Sequence, residues 1–193
     1  MAGLAGSIDV MDAETFFRFL ETRPDEEKWE LFDGVPVMNP TPVYPHQIIV
    51  KNLLRILGNF EIERNAAWTV IPGIAVRVSD ISVPVPDVMI LPRRNDNAHV
   101  CDDMIVAFEI LSPSTRKRDL DWKRKAYTGL PAVMHYVIIA PDKVQILHYR
   151  RSDAWAELKL LDMQGGLVIP ELEIELKLTN IYYDTGPWLA AKK

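Results

Sequence analysis

The amino-acid sequence predicts an α/β fold in which helices pack against a central mixed β-sheet. Short apolar, β-branched segments recur along the chain, and amphipathic segments with helical spacing separate them. Two of the apolar segments hardly alternate with polar residues, which is typical of strands buried on both faces. The 14 prolines are scattered, with no linker-like cluster, so we expect one domain over residues 1–193 with its core at about residues 12–184.

Length and composition are those of an ordinary soluble globular domain. Of the 193 residues, 48% are hydrophobic and 25% are charged, and a domain of this size buries roughly 70% of its unfolded surface without a disulfide or structural metal. Cys101 is the only cysteine, which excludes an internal disulfide and favours a reducing, cytoplasmic location. Residues 1–7 lack the features of a secretion signal, and no segment approaches the roughly 20 apolar residues of a membrane span.

The N-terminal half is predicted to contain two helices, a hairpin and a bent strand. Residues 12–20 have the apolar spacing of a short helix, and residues 29–38 form a hairpin because an Asp-Gly pair separates two apolar runs. The second helix opens at His46 and is clearest over residues 49–60, where apolar residues recur every three or four positions. Residues 67–78 form a strand or a bent hairpin, since a Pro-Gly pair breaks them.

The C-terminal half is predicted to contain most of the sheet. Residues 87–91 and 104–111 are the two strands buried on both faces. A helix follows the hydroxyl-rich residues 112–115 and runs to about Tyr127. Further strands are predicted at residues 133–139 and 143–149, with antiparallel edge pieces at 155–161 and 172–178.

Two carboxylates lie within the buried strands, where an unpaired charge costs several kcal/mol. Asp87 opens one strand directly after Pro86, and Glu109 lies inside the other. If the strands are neighbours, the two carboxylates converge, and a hard divalent cation would relieve their repulsion. In the alternative reading, Glu109 pairs with a nearby Lys or Arg and Asp87 merely starts a strand.

Three groups of residues follow one another in a specific order and spacing: residues 85–88 (VPDV), residues 108–115 (FEILSPST), and Asp119, Lys123 and Tyr127 at steps of four. Together they resemble the Uma-type restriction endonuclease family, which belongs to the PD-(D/E)XK nuclease superfamily. Residues 30–34 (ELFDG) and the helix at His46 resemble the N-terminal half of that family, so the resemblance covers about residues 12–184. It implies a restriction endonuclease-like core, with additional antiparallel strands at the C-terminal end.

The resemblance also implies a Mg²⁺-dependent site, in which Mn²⁺ would substitute, for hydrolysing DNA phosphodiester bonds. The metal ligands would be Asp87, Glu109, the carbonyl of Ile110 and Glu30, the last at the same or a second ion. The implied catalytic residues are Asp87, Glu109, Lys123, Glu30 and His46, with Ser112, Asp119 and Tyr127 in support. For two of them a structural reading stays open: Glu30 could face solvent at a strand start, and His46 could satisfy backbone groups at the helix start.

One position departs from the superfamily signature, because Leu111 stands where a lysine is expected. Residues two apart in a strand point to the same face, so Leu111 would leave an apolar wall beside Glu109 that a lysine from the next helix could cross. The resemblance assigns that lysine to Lys123, which shares a helix face with Asp119 and Tyr127. Lys125, two positions on, should point elsewhere.

The helix that carries Lys123 is strongly basic in a chain of net charge −5, since six basic residues face two acids over residues 116–125. We expect Arg116, Lys117, Arg118, Arg124 and Lys125 to face solvent or the DNA backbone. The alternative is an ordinary solvated helix face. His99, His135 and His148 share no metal-binding spacing, and we predict structural roles for them.

The function predicted from these residues is that of a metal-dependent endonuclease acting on double-stranded DNA. One such site hydrolyses one strand, so cutting a duplex favours a homodimer with two sites. Leu111 and the acidic net charge favour a rival reading, a catalytically inactive nucleic-acid or protein interaction module on the same fold. A third reading is a metal-dependent phosphodiesterase acting on a small nucleotide.

Overall fold

The computed structural model describes residues 10–191, so the predicted absence of a secretion signal at residues 1–7 lies outside the described residues. Among residues 10–191, no helix has the length and hydropathy needed to cross a membrane. The helices in this part of the chain are α1 (Ala13–Leu20), α2 (Tyr44–Glu63), α3 (Arg124–Thr128), α4 (Leu178–Ile181) and α5 (Gly186–Ala190), and a π-helical segment, Arg118–Lys123, directly precedes α3.

The strands are short, with two to five residues each. In chain order they are β1 (Lys28–Phe32), β2 (Val35–Asn39), β3 (Trp68–Pro72), β4 (Ala75–Val76), β5 (Val88–Pro92), β6 (Val100–Cys101), β7 (Val106–Ile110), β8 (His135–Ile139), β9 (Ile146–Arg150), β10 (Glu157–Leu160), β11 (Gly166–Ile169) and β12 (Ile174–Lys177).

Six of these strands form a central mixed sheet in the order β10-β9-β8-β7-β5-β3. The pair β7 and β8 is parallel, and the other neighbouring pairs are antiparallel. This topology confirms the predicted mixed α/β fold. Because β5 and β7 are antiparallel neighbours, with Val88 opposite Phe108, the start of β5 lies beside the end of β7.

Helices and small sheets cover both faces of the central sheet. On one face, the apolar stripe of α2 and the two-stranded β11–β12 sheet pack against β5, β7 and β8, and Leu53 and Leu57 of that stripe are fully buried. On the other face, Tyr127 of α3 and Leu111 pack against Met89 and Tyr136. The predicted amphipathic helix is therefore confirmed, with its apolar stripe facing the core.

The hairpin β1–β2 is confirmed with its turn at Asp33 and Gly34. Both turn residues have positive φ, 49° and 80°, which is the conformation that a two-residue type I′ turn requires. The hairpin contacts the core through Leu31, which pairs with Val83 and packs against Phe16 of α1.

Three predictions of local structure are corrected. Residues 67–78 split at the Pro-Gly pair, so that β3 joins the central sheet while β4 pairs in parallel with β6. Residues 172–178 are not an edge of the central sheet, because β12 pairs with β11 and its Ile174 and Leu176 are buried against the core. The helix after Thr115 is not regular, since residues 118–123 adopt π geometry.

Candidate active site

The predicted site residues converge on the floor of a cleft of about 1020 Å³. Its walls are the β1–β2 hairpin with residues 39–43, the N-terminal half of α2, and the loop at residues 112–115. Asp87 and Glu109 lie on the floor, and the other predicted residues that line the cleft are Glu30, His46, Ile110, Ser112, Asp119 and Lys123. Tyr127 is fully buried behind Glu109, with its hydroxyl 3.4 Å from Glu109 Oε1.

Asp87 is held in place by two donors from different elements. Its Oδ2 accepts a hydrogen bond of 2.7 Å from the N–H of Ile110 at the end of β7, and it lies 3.1 Å from Nε2 of His46. Burial alone would raise the pKa of Asp87, but the hydrogen bond and charge of His46, the charge of Lys123 and the Ile110 N–H lower it below its ordinary value. The ionised form of Asp87 is therefore stabilised.

Glu109 is buried in the middle of the site, and its side chain is on the same face of β7 as Leu111. Its Oε1 accepts a hydrogen bond of 2.9 Å from Lys123 Nζ. Burial raises the pKa of Glu109 well above its ordinary value, with a further contribution from the carboxylates of Asp87, Asp119 and Glu30 and against the opposing effect of Lys123. The charged form of Glu109 is therefore not fully compensated by the protein alone.

Lys123 reaches the site from the π-helical segment, as predicted, and is 3% exposed. Its ammonium lies 2.9 Å from Glu109 Oε1, 2.9 Å from Glu30 Oε1 and 2.9 Å from the carbonyl of Val85. Burial alone would lower the pKa of Lys123, but the surrounding carboxylates, Glu109 first among them, raise it above its ordinary value. The ammonium therefore stays charged, and its three N–H donors are all engaged.

Both oxygens of Glu30, which is predicted to be a metal ligand, already face donors from the protein. Oε1 accepts from the N–H of Val85 at 2.6 Å and faces Lys123, while Oε2 accepts from Asn39 Nδ2 at 2.5 Å and lies 3.6 Å from the Arg118 guanidinium. A carboxylate offers about four lone-pair positions. With four donors around it and 1% exposure, Glu30 is placed to hold its neighbours in position.

The carboxylate oxygens that remain without a hydrogen-bond donor suit a hard divalent cation. Within residues 10–191, the hydrogen bonds to Asp87 end on Oδ2 and those to Glu109 on Oε1, so Asp87 Oδ1 and Glu109 Oε2 have no donor from these residues. Four carboxylates (Glu30, Asp87, Glu109 and Asp119) face the two cations Lys123 and Arg118, which leaves a negative excess. Hard cations take oxygen ligands, and Mg²⁺ in particular keeps several waters.

Side chains alone do not form a complete metal site, since no group of three or more His, Cys, Asp or Glu among the described residues is arranged to hold a metal ion. Asp119 is 1% exposed and bonds to Thr115 through Oδ2, so it belongs to the scaffold of the helix start. Burial raises the pKa of Asp119 against the opposing effects of Lys123 and Thr115. An ion at Asp87 and Glu109 would therefore depend on backbone, water and substrate oxygens for the rest of its coordination.

The side chain of His46 pairs with Asp87 and does not satisfy a backbone group at the helix start. His46 is the third residue of α2, its Nε2 pairs with Asp87, and its Nδ1 is buried with no hydrogen-bond partner among the described residues. Ser112, predicted to support the site, caps the following turn by accepting the N–H of Thr115 at 3.2 Å. Both residues therefore shape the cleft walls around the carboxylates.

The basic residues predicted to face solvent or DNA are only partly free of contacts with the rest of the protein. Arg116, Lys117 and Lys125 are exposed, as predicted. Arg124 is half-buried, because its Nε donates to the carbonyl of Leu120 and its guanidinium lies over the ring of Tyr149. Arg118 is a correction, since its guanidinium is turned inward to Glu30, to Asn39 at 2.5 Å and to the face of the Phe32 ring at 4.4 Å.

Some residues at the site escaped the sequence analysis. Asn39 ends β2 and bridges Glu30 to Arg118, but an asparagine before Pro40 reads as an ordinary turn residue. Gln47 and Lys51 line the cleft from α2. They are four residues apart and so lie on one side of the helix, and this spacing was a usable signal for a polar stripe beside the apolar one.

Comparison with known proteins places this chain in a family. The family model described as "Uma2: Putative restriction endonuclease" matches residues 13–180, and no curated protein matches the chain. Among solved structures, the chain is similar to a putative nuclease belonging to DUF820 from Anabaena variabilis ATCC 29413, with a TM-score of 0.70 and 16% identity over 85% of this chain and 94% of that chain. At this identity the likeness shows a shared fold. Because the family model spans most of the sequence, the chain belongs to the Uma2 family of putative restriction endonucleases.

Proposed function

We propose that the chain is a divalent-metal-dependent nuclease that hydrolyses phosphodiester bonds in DNA. The observation that carries this proposal is the meeting of Asp87 and Glu109 on the floor of one cleft, each with an oxygen left free by the described residues. Membership of the Uma2 family supports the same chemistry. Two exposed lysines, Lys28 and Lys51, also line the cleft, which suits the approach of a phosphate to the carboxylates.

Asp87, Glu109 and the carbonyl of Ile110 would hold Mg²⁺, with Mn²⁺ as a substitute. When bound, such an ion activates a water as nucleophile and neutralises charge on the phosphate. His46 and the Ile110 N–H keep Asp87 ionised and fix its Oδ2, so that Oδ1 points to the cleft with a defined orientation. Glu109 brings the negative charge that the protein alone does not balance.

Lys123 supplies the positive charge that Leu111 cannot supply from the strand. Leu111 packs with Tyr127 and Leu130 on the face of β7 that Glu109 shares, and Lys123 reaches Glu109 from the helical segment that follows. Because all three donors of Lys123 are engaged, it can stabilise a phosphate oxygen or a water only by exchanging one of them. We propose that the bond to Glu109 is the one exchanged, while Glu30 and Val85 keep the ammonium in place.

The DNA backbone would contact the exposed cations beside the cleft, Arg116, Lys117 and Lys125. Cutting both strands of a duplex needs two such sites or two visits, and a homodimer would supply two sites related by symmetry. This can be measured by light scattering of the purified protein and by asking whether nicked and linear plasmid appear together or in sequence. A monomer that only nicks would contradict the dimer and leave the hydrolytic site intact.

One observation favours a second candidate, an inactive module that binds nucleic acid or protein. The ammonium of Lys123 is fully bonded to the protein, and the position of the superfamily's lysine is Leu111. A fold of this kind could be kept for binding with no turnover.

Supercoiled plasmid separates the two candidates. With Mg²⁺ or Mn²⁺, the wild-type protein should convert it to nicked or linear DNA, and a chelator should stop the reaction. Glu109→Gln should be inactive under the same conditions. Mn²⁺ at about 100 times its Kd should also stabilise the wild-type fold by roughly 2.7 kcal/mol, and Glu109→Gln should remove most of this shift. DNA binding without cleavage or a metal-induced shift would favour the module.

A further inference from the structure

We propose that Arg118 and Asn39 are positioning residues for Lys123, and that they act through Glu30. The inference rests on the proposed function, because that function gives Lys123 its role. Arg118 Nη2 donates to Asn39 Oδ1 at 2.5 Å, and Asn39 Nδ2 donates to Glu30 Oε2 at 2.5 Å. Glu30 Oε1 then forms an ion pair with the Lys123 ammonium at 2.9 Å, so two hydrogen bonds and one ion pair connect Arg118 to Lys123.

This path connects two elements that would otherwise move separately. Glu30 is in the middle of β1 and Asn39 ends β2 of the hairpin, while Arg118 and Lys123 begin and end the π-helical segment. Glu30 accepts hydrogen bonds from Val85 and Asn39 and forms ion pairs with Lys123 and Arg118, and these four contacts restrict the rotation of its carboxylate. The four-carbon stem of lysine is flexible, so a fixed acceptor is what decides where its ammonium lies.

A second set of contacts, further along the hairpin, holds the same segment. Trp122 Nε1 donates to Asp33 Oδ2 at 2.8 Å, and the Trp122 ring meets the edge of Phe32 with centroids 4.7 Å apart. The Arg118 guanidinium also lies over the Phe32 ring, 4.4 Å from its centroid. Residues 118 and 122 therefore face the hairpin while Lys123 faces the sheet.

The π-helical geometry of residues 118–123 explains why contacts with the hairpin matter for the position of Lys123. Runs of π-helix are rare and persist where packing holds them, frequently at functional sites. If the hairpin released residue 118, the segment could relax toward α-helical spacing, which would turn Lys123 relative to Glu109. Arg118 is thus placed to set the register that brings the ammonium to the carboxylate, and no substrate contact is needed to explain its burial.

The test compares Arg118→Ala and Asn39→Ala with Arg118→Lys and with a matched control, Arg93→Ala. Arg93 also faces a single glutamate across elements, with 3.4 Å to Glu61, but it has no link to Lys123. For each protein, plasmid nicking with Mg²⁺ gives kcat and KM. Acetic anhydride labelling of the metal-free protein, read by mass spectrometry of the Lys123 peptide, gives the accessibility of the ammonium.

Arg118→Ala and Asn39→Ala should lower kcat about tenfold with KM nearly unchanged, because a small displacement of a catalytic group is costly. Labelling of Lys123 should rise several fold in both, Arg118→Lys should restore part of each effect, and Arg93→Ala should match the wild type. A raised KM with unchanged kcat and labelling would overturn the proposal and make Arg118 a DNA contact. If the wild type does not cut DNA, the proposed function fails, and labelling alone decides: increased labelling in both variants supports the positioning role, and unchanged labelling overturns it.

Discussion

At the scale of single residues, the two carboxylates of the floor behave in opposite ways. Asp87 has a lowered pKa because His46, Lys123 and the Ile110 N–H outweigh its burial. Glu109 has a raised pKa because burial and its acidic neighbours outweigh Lys123. Replacing Glu109 by a neutral residue should therefore relieve repulsion, whereas replacing Asp87 should remove stabilising contacts.

The first prediction follows from the signs of these shifts. A lowered pKa in the folded state means that ionised Asp87 contributes stability above its unfolded pKa, and that this stability is lost as pH falls through the folded pKa. A raised pKa means that the contribution of Glu109 is full below its unfolded pKa and is lost as pH rises. At pH 7, Asp87→Asn should therefore lower the free energy of unfolding by about 1 kcal/mol and Glu109→Gln should leave it unchanged or raise it.

Urea unfolding of both variants at pH 7 measures this difference. Both should also lose metal-dependent cleavage, which separates their shared chemical role from their opposite effects on stability. If Glu109→Gln proved the less stable of the two, Lys123 would compensate the negative charge of Glu109 better than the geometry of the site indicates.

Lys123 and Lys125 give the second prediction. Lys123 is buried among three carboxylates and Lys125 is exposed on the outer side of α3. Lys123→Ala should lower turnover roughly a hundredfold, as for loss of one preorganised charge, and should also cost about 3 kcal/mol of stability because buried carboxylates lose their partner. Lys125→Ala should change DNA affinity slightly and turnover little. Single-turnover cleavage beside urea unfolding tests both, and a normal rate in the Lys123 variant would remove it from the mechanism.

At the scale of elements, two histidines join the central sheet to the C-terminal segment. His135 of β8 donates through Nε2 to Glu171 at 2.6 Å, and its Nδ1 lies 2.8 Å from Nε2 of His148 on β9. Burial lowers the pKa of His135 and, together with the charge of His135, lowers that of His148 to about 3. Arg150 and Asp153 are the other charged groups near the pair. Both rings are therefore neutral at pH 7, and their predicted structural role has a definite geometry.

The third prediction is a loss of stability in mild acid. The unfolded chain takes up a proton on His148 below about pH 6.5, but the folded chain does so only near pH 3, so stability falls as pH falls through this window. Between pH 7 and pH 5 this residue alone should cost roughly 2 kcal/mol. His148→Gln keeps an N–H donor without titrating and should flatten that part of the dependence. Urea unfolding at the two pH values measures it, and parallel curves for both proteins would contradict the prediction.

Prediction from sequence succeeded for elements whose signal is local and failed where packing decides. The apolar period of α2 and the Asp-Gly turn of the hairpin are local, and both were predicted. The π geometry of residues 118–123 depends on contacts of Arg118 and Trp122 with a hairpin some 80 residues away, so no window of the sequence carries it. The inward turn of Arg118 was missed for the same reason, because a basic residue in a basic run reads as exposed. Asp87, Glu109 and Lys123 were brought together as predicted, since buried charges in apolar strands have few alternatives.

At the scale of the whole molecule, charge is unevenly distributed. The chain carries a net charge of −5, yet Arg116, Lys117 and Lys125 are exposed beside the cleft. These cations would then overcome, at one place on the surface, the electrostatic repulsion between the acidic chain and DNA. Binding would depend on those few contacts. Arg124 and Arg118, whose guanidinium groups are engaged by the protein, would contribute less.

The last prediction concerns the salt dependence of DNA binding. Each phosphate neutralised by a cation adds about 0.9 to the slope of log affinity against log salt, because a counterion is released. Replacing Arg116, Lys117 and Lys125 together by Gln should therefore flatten the slope by up to roughly 3, and should weaken binding similarly for unrelated sequences. The control replaces Arg55, Arg93 and Lys159 by Gln, which removes the same charge from outside residues 116–125. Fluorescence anisotropy in chelator at several salt concentrations measures both triple variants. An equal loss of slope in the two would mean that DNA responds to total charge, and that the strip beside the cleft is a solvated helix face.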